Sequence, residues 1–403
     1  MPTTQQTGEC LGSSGQADRV LGVGILGLSA DGGWAAQAHA PAIRALESVA
    51  LRAVCNSTAA SSAAAADDYG IGYASGPREL ADRDDVDLVV VAVKAPRHAQ
   101  LVEAALAAGK PVLCEWPLGV SLGQSQSLAA ASAASAPGFV GLQSRAAPTI
   151  RYLRDLVKDG YVGRVLSTSM IASGRAWGES FKARQAYTLD SSQGSSMLAI
   201  PLGHTLDAVE MVLGEFRQVA AVIANLRPQV REVESGELHT KSTEDQVAII
   251  GQLADEAVAS IHFRGGTARR TNFYWEICGT DGELIVEGDT GHLQIANLRV
   301  FGARGGSSVE PLNTPARYQR VPALAGRAAD PAYNVAHAYL DIVDDLHGEG
   351  PLAPRFAHAA QRKVLLAAIE QSATSGVAVD LSGPRSTDGS HVSGRAETSP
   401  DRT

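Results

Sequence analysis

The chain has 403 residues, 45% of them hydrophobic and 19% charged, and its 34 Lys and Arg against 43 Asp and Glu give a net charge of −9. That length accommodates two domains with separate cores, and the composition is that of an ordinary soluble globular protein. The acidic balance and the lack of a Lys/Arg stripe (the longest basic cluster is Arg269-Arg270) argue against nucleic-acid binding.

Residues 1–18 and 383–403 are rich in Gly, Ser, Thr and charge and read as disordered tails. They carry no signal-peptide pattern, and no apolar run reaches membrane-spanning length, so a cytoplasmic protein is expected. Cys10, Cys55, Cys114 and Cys278 are scattered without a C-x-x-C pair, which speaks against a disulfide framework or a metal site. Cys55 and Cys114 end apolar runs and read as buried thiols.

In chain order, 19–26 reads as a strand, 34–49 as a helix, 51–55 as a strand and 58–69 as a helix. VDLVVVAV (86–93) is a continuous apolar run, as expected of a strand covered on both faces. A helix over 97–108 stopped by Gly109, a strand at 111–114, a helix at 121–135 and a strand at 139–143 complete the alternation. Alternating strands and helices predict βαβ units, hence a doubly wound parallel Rossmann sheet over 19–145. After a helix at 148–159 come strand-rich segments: 164–172, 216–226, 245–263, 274–277 and 283–287. GTDGE (279–283) and LADEA (253–257) are hairpin turns within them. Helices at 334–347 and 356–374 close an α+β second domain, 146–382, with a large, mostly antiparallel open sheet.

A literal G-x-G-x-x-G occurs at Gly22, Gly24 and Gly27, but a phosphate loop must follow a strand, and the residues before Gly22 are mostly polar. The better strand is VLGVGIL, with Gly27 as the first loop glycine. The loop GLSADGGWA then offers Gly27, Leu28, Ser29, Gly32, Gly33 and Trp34 to a dinucleotide, whose pyrophosphate meets the start of the next helix. The second strand ends at Asn56, followed by Ser57 and Thr58, where an acid would hold the ribose of NAD. With no acid to repel a 2′-phosphate, NADP is expected over NAD.

These segments resemble the glucose–fructose oxidoreductase / inositol dehydrogenase / rhizopine catabolism (Gfo/Idh/MocA) family. The resemblance rests on GLSADGGWAAQAHAPAI, HAQLVEAALAAGKPVLCEWPL, KDGYVGRV and GHTLDAVEMVLGE. It implies hydride transfer between NAD(P) and a sugar, polyol or related small metabolite. It also implies a homo-oligomer formed through the second-domain sheet; from the composition, no nucleic-acid or membrane partner is expected, and a small-molecule substrate or effector is. The loop, Asn56, the Trp of EWP and GHTLD are closest in pattern to the fungal galactose-pathway repressor branch, which implies the alternative of a catalytically inactive, dinucleotide-binding regulator.

The departures from the family concern proton handling. Where the family reads E-K-P, this chain has Glu115, Trp116 and Pro117, and Ile200 stands where an Asp belongs, four residues before His204. Neither Trp nor Ile exchanges a proton at neutral pH. His204 is the expected base, or else a core histidine bonded to Asp207. Lys94, at the end of VDLVVVAV, supplies the missing cation or stands in solvent. The resemblance places Glu115 in the cofactor pocket, and Trp116 either stacks on nicotinamide or sugar or plugs the place of the lost lysine. Arg145 reaches substrate or forms a hinge salt bridge. Trp177, Lys182 and Tyr187 lie in a segment that carries specificity in the family. His39 and His98 sit at helix starts and read as structural or peripheral. No metal site is expected.

Overall fold

The structure is a computed structural model that describes residues 19–30 and 32–383. Asp31 and the tails at 1–18 and 384–403 lie outside the described residues, as does Cys10. The first sheet has six strands: β1 (Leu21–Leu26), β2 (Val49–Cys55), β3 (Gly72–Tyr73), β4 (Leu88–Val91), β5 (Val112–Glu115) and β6 (Gly138–Gly141). Their order is β3-β2-β1-β4-β5-β6, and every pair is parallel. β4 is buried along its whole length, as its unbroken Leu-Val-Val-Val sequence requires when helices cover both faces.

The helices of this half are α1 (Ala40–Arg44), α2 (Ala59–Tyr69), α3 (Pro77–Ala81), α4 (His98–Leu106) and α5 (Leu122–Ala134). Thr58 caps α2 and Ser121 caps α5, each accepting a backbone N–H three residues on. The helix expected to reach Val49 stops at Arg44, because Val49 opens β2 and pairs with Leu21. A π-turn, Ala35–His39, leads into α1. Pro41 has no N–H to continue the regular ladder there.

After α6 (Pro148–Lys158) the pattern becomes antiparallel. The strands are β7 (Val165–Ser173), β8 (Ser180–Phe181), β9 (Phe216–Ala224), β10 (Gln229–Glu232), β11 (Leu238–Thr240), β12 (Gln246–Leu253), β13 (Val258–Arg264), β14 (Phe273–Gly279), β15 (Gly282–Gly288), β16 (Leu298–Arg304), β17 (Glu310–Leu312) and β18 (Val379–Asp380). Nine of them form one sheet, β17-β16-β15-β14-β7-β13-β12-β9-β18, in which the β7–β13 pair is parallel and its other neighbours are antiparallel. β13 alternates, burying Ala259, Ile261 and Phe263 and exposing the residues between them, so one face is core and the other is open. Both expected hairpin turns lie where the sequence puts them, between β12 and β13 and between β14 and β15.

Three helices complete the fold: α7 (Gly203–Leu213), α8 (Pro331–Leu346) and α9 (Phe356–Ser375). α8 leaves the second half and packs on the first sheet, where Ala332, Val335, Ala336, Tyr339 and Ile342 share a core with Val23, Ile25, Leu88 and Val90. Cys55 and Cys114 are buried free thiols, as expected. Ser191–Leu213 is long and apolar enough to span a membrane by length and composition alone, with mean hydropathy 1.2 over its most apolar 18 residues, but 83% of those residues are buried inside the fold, as in a core helix. The β10–β11 hairpin also brings together Glu232, Glu237 and His239, whose ligand-type atoms lie within 4.8 Å of one another.

Candidate functional site

Gly22 and Gly24 lie inside β1, so the literal glycine motif belongs to the strand and the loop begins at Gly27. Gly27 has φ +104°, and a Cβ there would come within 2.6 Å of Val93 and 2.7 Å of the Ala92 carbonyl, so the turn requires glycine. Gly32 and Gly33 also have positive φ, +109° and +105°, but nothing lies within 4 Å of a Cβ built on either. They form an open cradle ahead of the helical run that starts at Trp34. Ser29 bridges back to Gly32 across the loop, and Leu28 is wholly buried. The indole Nε1 of Trp34 is sealed from solvent without a hydrogen-bond partner.

Asn56 holds this loop in place. Its Nδ2 donates to the Leu28 carbonyl at 2.8 Å and to the Ser61 carbonyl at 3.0 Å, while its backbone N–H donates to Ser62 Oγ. Both amide donors are therefore committed to the protein, leaving Oδ1 to accept. Ser57 and Thr58 are exposed beside it.

Glu115, at the end of β5, is held rather than free. Its Oε1 accepts from Gln143 Nε2 at 2.7 Å and from His39 Nε2 at 3.0 Å. The other ring nitrogen of His39 faces the Tyr339 hydroxyl at 2.8 Å. With Nε2 donating to the carboxylate and Nδ1 accepting, the Tyr339 hydroxyl is the donor. This line of Tyr339, His39, Glu115 and Gln143 joins α8 to the ends of β5 and β6. His98 is also structural: its ring nitrogens face the carbonyls of Pro117 and Val93, and burial lowers its pKa despite those bonds.

Trp116 is 5% exposed, and its Nε1 donates to the Ala199 carbonyl at 2.6 Å. Ala199 lies in a second π-turn, Leu198–Leu202, where Pro201 interrupts the ladder just before α7. Ile200 sits in the same turn. The indole thus fills the space between the end of β5 and the start of α7.

His204 lies in the first turn of α7, is 2% exposed, and its Nδ1 has no hydrogen-bond partner. Burial, outweighing the pull of Glu115 and Asp207, holds its pKa down to about 4, so the ring is neutral at pH 7. The bond to Asp207 considered from the sequence does not form. Asp207 instead accepts from Arg145 at 3.0 Å and from His358 at 2.6 Å. Burial opposes ionisation of Asp207, but Arg145, His358 and Arg362 together hold its pKa at about 2. Arg145 is thus in the hinge-type salt bridge rather than free.

Lys94 is exposed, and its ammonium lies 5.1 Å from the ring centre of Tyr187, so the structure brings these two candidates together. Lys182 is exposed on the same segment. Trp177 is 5% exposed and its ring stands 5.8 Å from that of His292. His292, Gln294, Asn334 and His358 went unnoticed in the sequence. They occupy turns and helix positions that no periodicity singles out.

Two family models match the chain: "Oxidoreductase family, NAD-binding Rossmann fold" over residues 21–137 and "Gal80p, C-terminal domain" over residues 148–288. Dehydrogenase aclE of Aspergillus oryzae is 33% identical over 60% of this chain and 69% of its own length. The galactose/lactose metabolism regulatory protein GAL80 of Kluyveromyces lactis is 29% identical over 71% of this chain and 67% of its own. A levoglucosan dehydrogenase in complex with NADH and levoglucosan superposes with a TM-score of 0.75 at 22% identity, covering 90% of this chain and 99% of its own, which shows the shared fold.

The regulatory relative corrects the expectation about partners. A set limited to a small molecule and further copies of the chain, with nucleic acid set aside, does not cover a protein so similar to a metabolic regulator. The matched segments, the parallel six-stranded sheet with its glycine loop and the dehydrogenase relative agree: this chain belongs to the Gfo/Idh/MocA family of NAD-binding oxidoreductase fold, near its Gal80 branch.

Proposed function

We propose that this protein is an NAD(P)-dependent oxidoreductase acting on a hydroxyl-bearing small metabolite of the sugar or polyol class. The observation that carries the reading is the neutral, buried ring of His204, with an unpartnered Nδ1 beside Glu115 and the end of the parallel sheet. Ligands of open α/β sheets bind at that edge. We take 19–145 as the nucleotide-binding unit and 146–382 as the part that faces the substrate.

The cradle fits a dinucleotide. Gly32 and Gly33 leave open the space that side chains would fill, and the helical run from Trp34 presents backbone N–H groups to a pyrophosphate. Asn56 Oδ1 accepts from a ribose hydroxyl, and exposed Ser57 meets a 2′-phosphate without an acid to repel it, which favours NADP over NAD. When bound, the nicotinamide accepts or supplies the hydride. His204 takes the hydroxyl proton on Nδ1 as the alcohol becomes a carbonyl and returns it in the reverse direction. Exposed Lys94, against the ring of Tyr187, orients the 183–188 segment toward the substrate.

The second reading, a dinucleotide-binding regulator without turnover, is favoured by Trp116, whose indole is locked to Ala199 where the family keeps a proton-carrying lysine. The test is turnover of a sugar and polyol panel by wild type and His204→Asn. The enzyme reading expects His204→Asn to lower kcat about a hundredfold to ten-thousandfold with dinucleotide affinity intact. No turnover by wild type, with weak activity gained by Trp116→Lys plus Ile200→Asp, supports the regulator instead.

A further inference from the structure

Trp177 has φ +58°, a left-handed conformation that a bulky side chain rarely adopts. The surroundings enforce it. The Gly266 N–H donates to the Ala176 carbonyl at 2.7 Å, and a Cβ on Gly265 would stand 2.1 Å from the Trp177 carbonyl. The Trp177 turn is thus clamped against the turn after β13, and this clamp lays the indole beside His292, with ring planes 30° apart.

The clamped group leaves polar atoms without partners. Trp177 Nε1, His204 Nδ1, His292 Nε2 and Gln294 Oε1 are all sealed from water and accept or donate nothing. They are neighbours. His292 stacks on Trp177 and faces Gln294 Nε2 at 3.4 Å through its other ring nitrogen, and its segment is tied to the start of α7, where the Thr205 hydroxyl next to His204 donates to the Gly291 carbonyl at 3.1 Å. Burial first, and then His204 and Arg175, push the His292 pKa down to about 3, so this ring too is neutral. An unsatisfied buried polar group is costly, and a core would replace such a cluster with apolar side chains unless something else paired with it.

Building on the oxidoreductase reading above, we propose that His292, with Trp177, forms the specificity wall of the substrate site opposite His204. The ligand it selects is a neutral molecule with several adjacent hydroxyls. The indole and imidazole faces pack against its C–H surface. His292 Nε2, Trp177 Nε1–H and Gln294 Oε1 pair with hydroxyls that are not being oxidised, leaving His204 Nδ1 for the reacting one. A hydroxyl both donates and accepts, so it satisfies neutral imidazole, indole and amide alike, as a carboxylate does not.

The experiment measures binding of myo-inositol, levoglucosan, galactose and, as the apolar control, cyclohexanol to the NADH-loaded protein, by calorimetry and tryptophan fluorescence. Wild type, His292→Leu, Trp177→Phe and His204→Asn are compared, together with melting of each ligand-free protein. The expected result is that wild type binds a polyol but not cyclohexanol, and that His292→Leu weakens binding about tenfold or more. Trp177→Phe, which keeps a ring but loses the N–H, weakens it about threefold. His292→Leu should melt close to wild type without ligand, because losing the long 3.4 Å contact with Gln294 is offset by removing an unpaired buried nitrogen; a merely structural histidine would melt clearly lower. Polyol binding unchanged in His292→Leu overturns the inference and leaves the oxidoreductase reading intact. If wild type binds no polyol, both fall.

Discussion

The indole of Trp116 rests on the α-carbon of Gly203: a Cβ on residue 203 would come within 2.8 Å of the Trp116 Nε1. The same nitrogen donates to Ala199, so the glycine at the start of α7 and the tryptophan after β5 specify each other. Gly203→Ala should therefore push the indole off its carbonyl. We expect a loss of about 1–3 kcal/mol from overpacking, with a red-shifted tryptophan emission. Urea unfolding checks the first and fluorescence the second; wild-type stability with unchanged emission would show that the indole is free to move.

Gly33→Asp places a negative group in the open cradle. Dinucleotide affinity should fall about a hundredfold or more in calorimetry, since the carboxylate takes the place of an anion. The loop carries a φ of +105° there, so the unliganded variant should also lose about 1–3 kcal/mol.

Asn56→Asp acts in two ways. It adds the charge that repels a 2′-phosphate, and it removes both N–H donors that hold Leu28 and Ser61. The ratio of NADP to NAD affinity should drop about tenfold or more, while affinity for both falls as the loop loosens. A wild type that binds NAD far more tightly than NADP would refute the cofactor preference proposed above.

For Lys94, the contact with Tyr187 predicts a role in holding the cover segment. Lys94→Ala should raise KM several-fold with kcat within about threefold, as expected for loss of a cation–π contact of about 0.5–1 kcal/mol. A hundredfold loss of kcat would instead make Lys94 the proton carrier.

The buried histidines give the fold an acid limit. His204, His292 and His337 have pKa values lowered to about 4, 3 and 4, all with burial as the first cause. The unfolded chain binds protons at these positions from about pH 6.5 downward while the folded chain does not. Stability is therefore intact above that pH and falls as pH drops through the window from about 6.5 to 3. Each ring contributes about 2 kcal/mol between pH 6.5 and 5. Asp207, held at about 2, adds a further loss only below its ordinary carboxylate range. Urea unfolding at pH 7 and pH 5 measures the sum, and His292→Leu should flatten the slope.

Much of this was legible in the sequence where one physical rule acts alone. VDLVVVAV reads as a doubly covered strand because nothing polar interrupts it, and the loop frame follows because a phosphate turn must come after a strand. Reading failed where a role depends on a distant partner. The amide of Asn56 faces ribose or backbone depending on where Leu28 lies. Trp116 faces cofactor or α7 depending on a π-turn that Pro201 creates. His292 sits in a turn, DTGHLQ, with no repeat or spacing to mark it, and matters only because a clamped tryptophan and the start of α7 arrive beside it. The short strands β3, β8, β10, β11, β17 and β18 have too few residues to show a period.

The contact between His39 and Tyr339 joins residues separated by 300 positions. One face of the first sheet therefore waits for α8, which a ribosome adding about 5–20 residues per second delivers some 15–60 s after His39 emerges. Until then, Ile25, Leu88 and Val90 lack the part of their cover that α8 provides. The nascent chain thus carries an unfinished apolar surface through most of its own synthesis. A version shortened before Pro331 would keep that surface permanently, so a segment ending before α8 is expected to aggregate unless something replaces that helix.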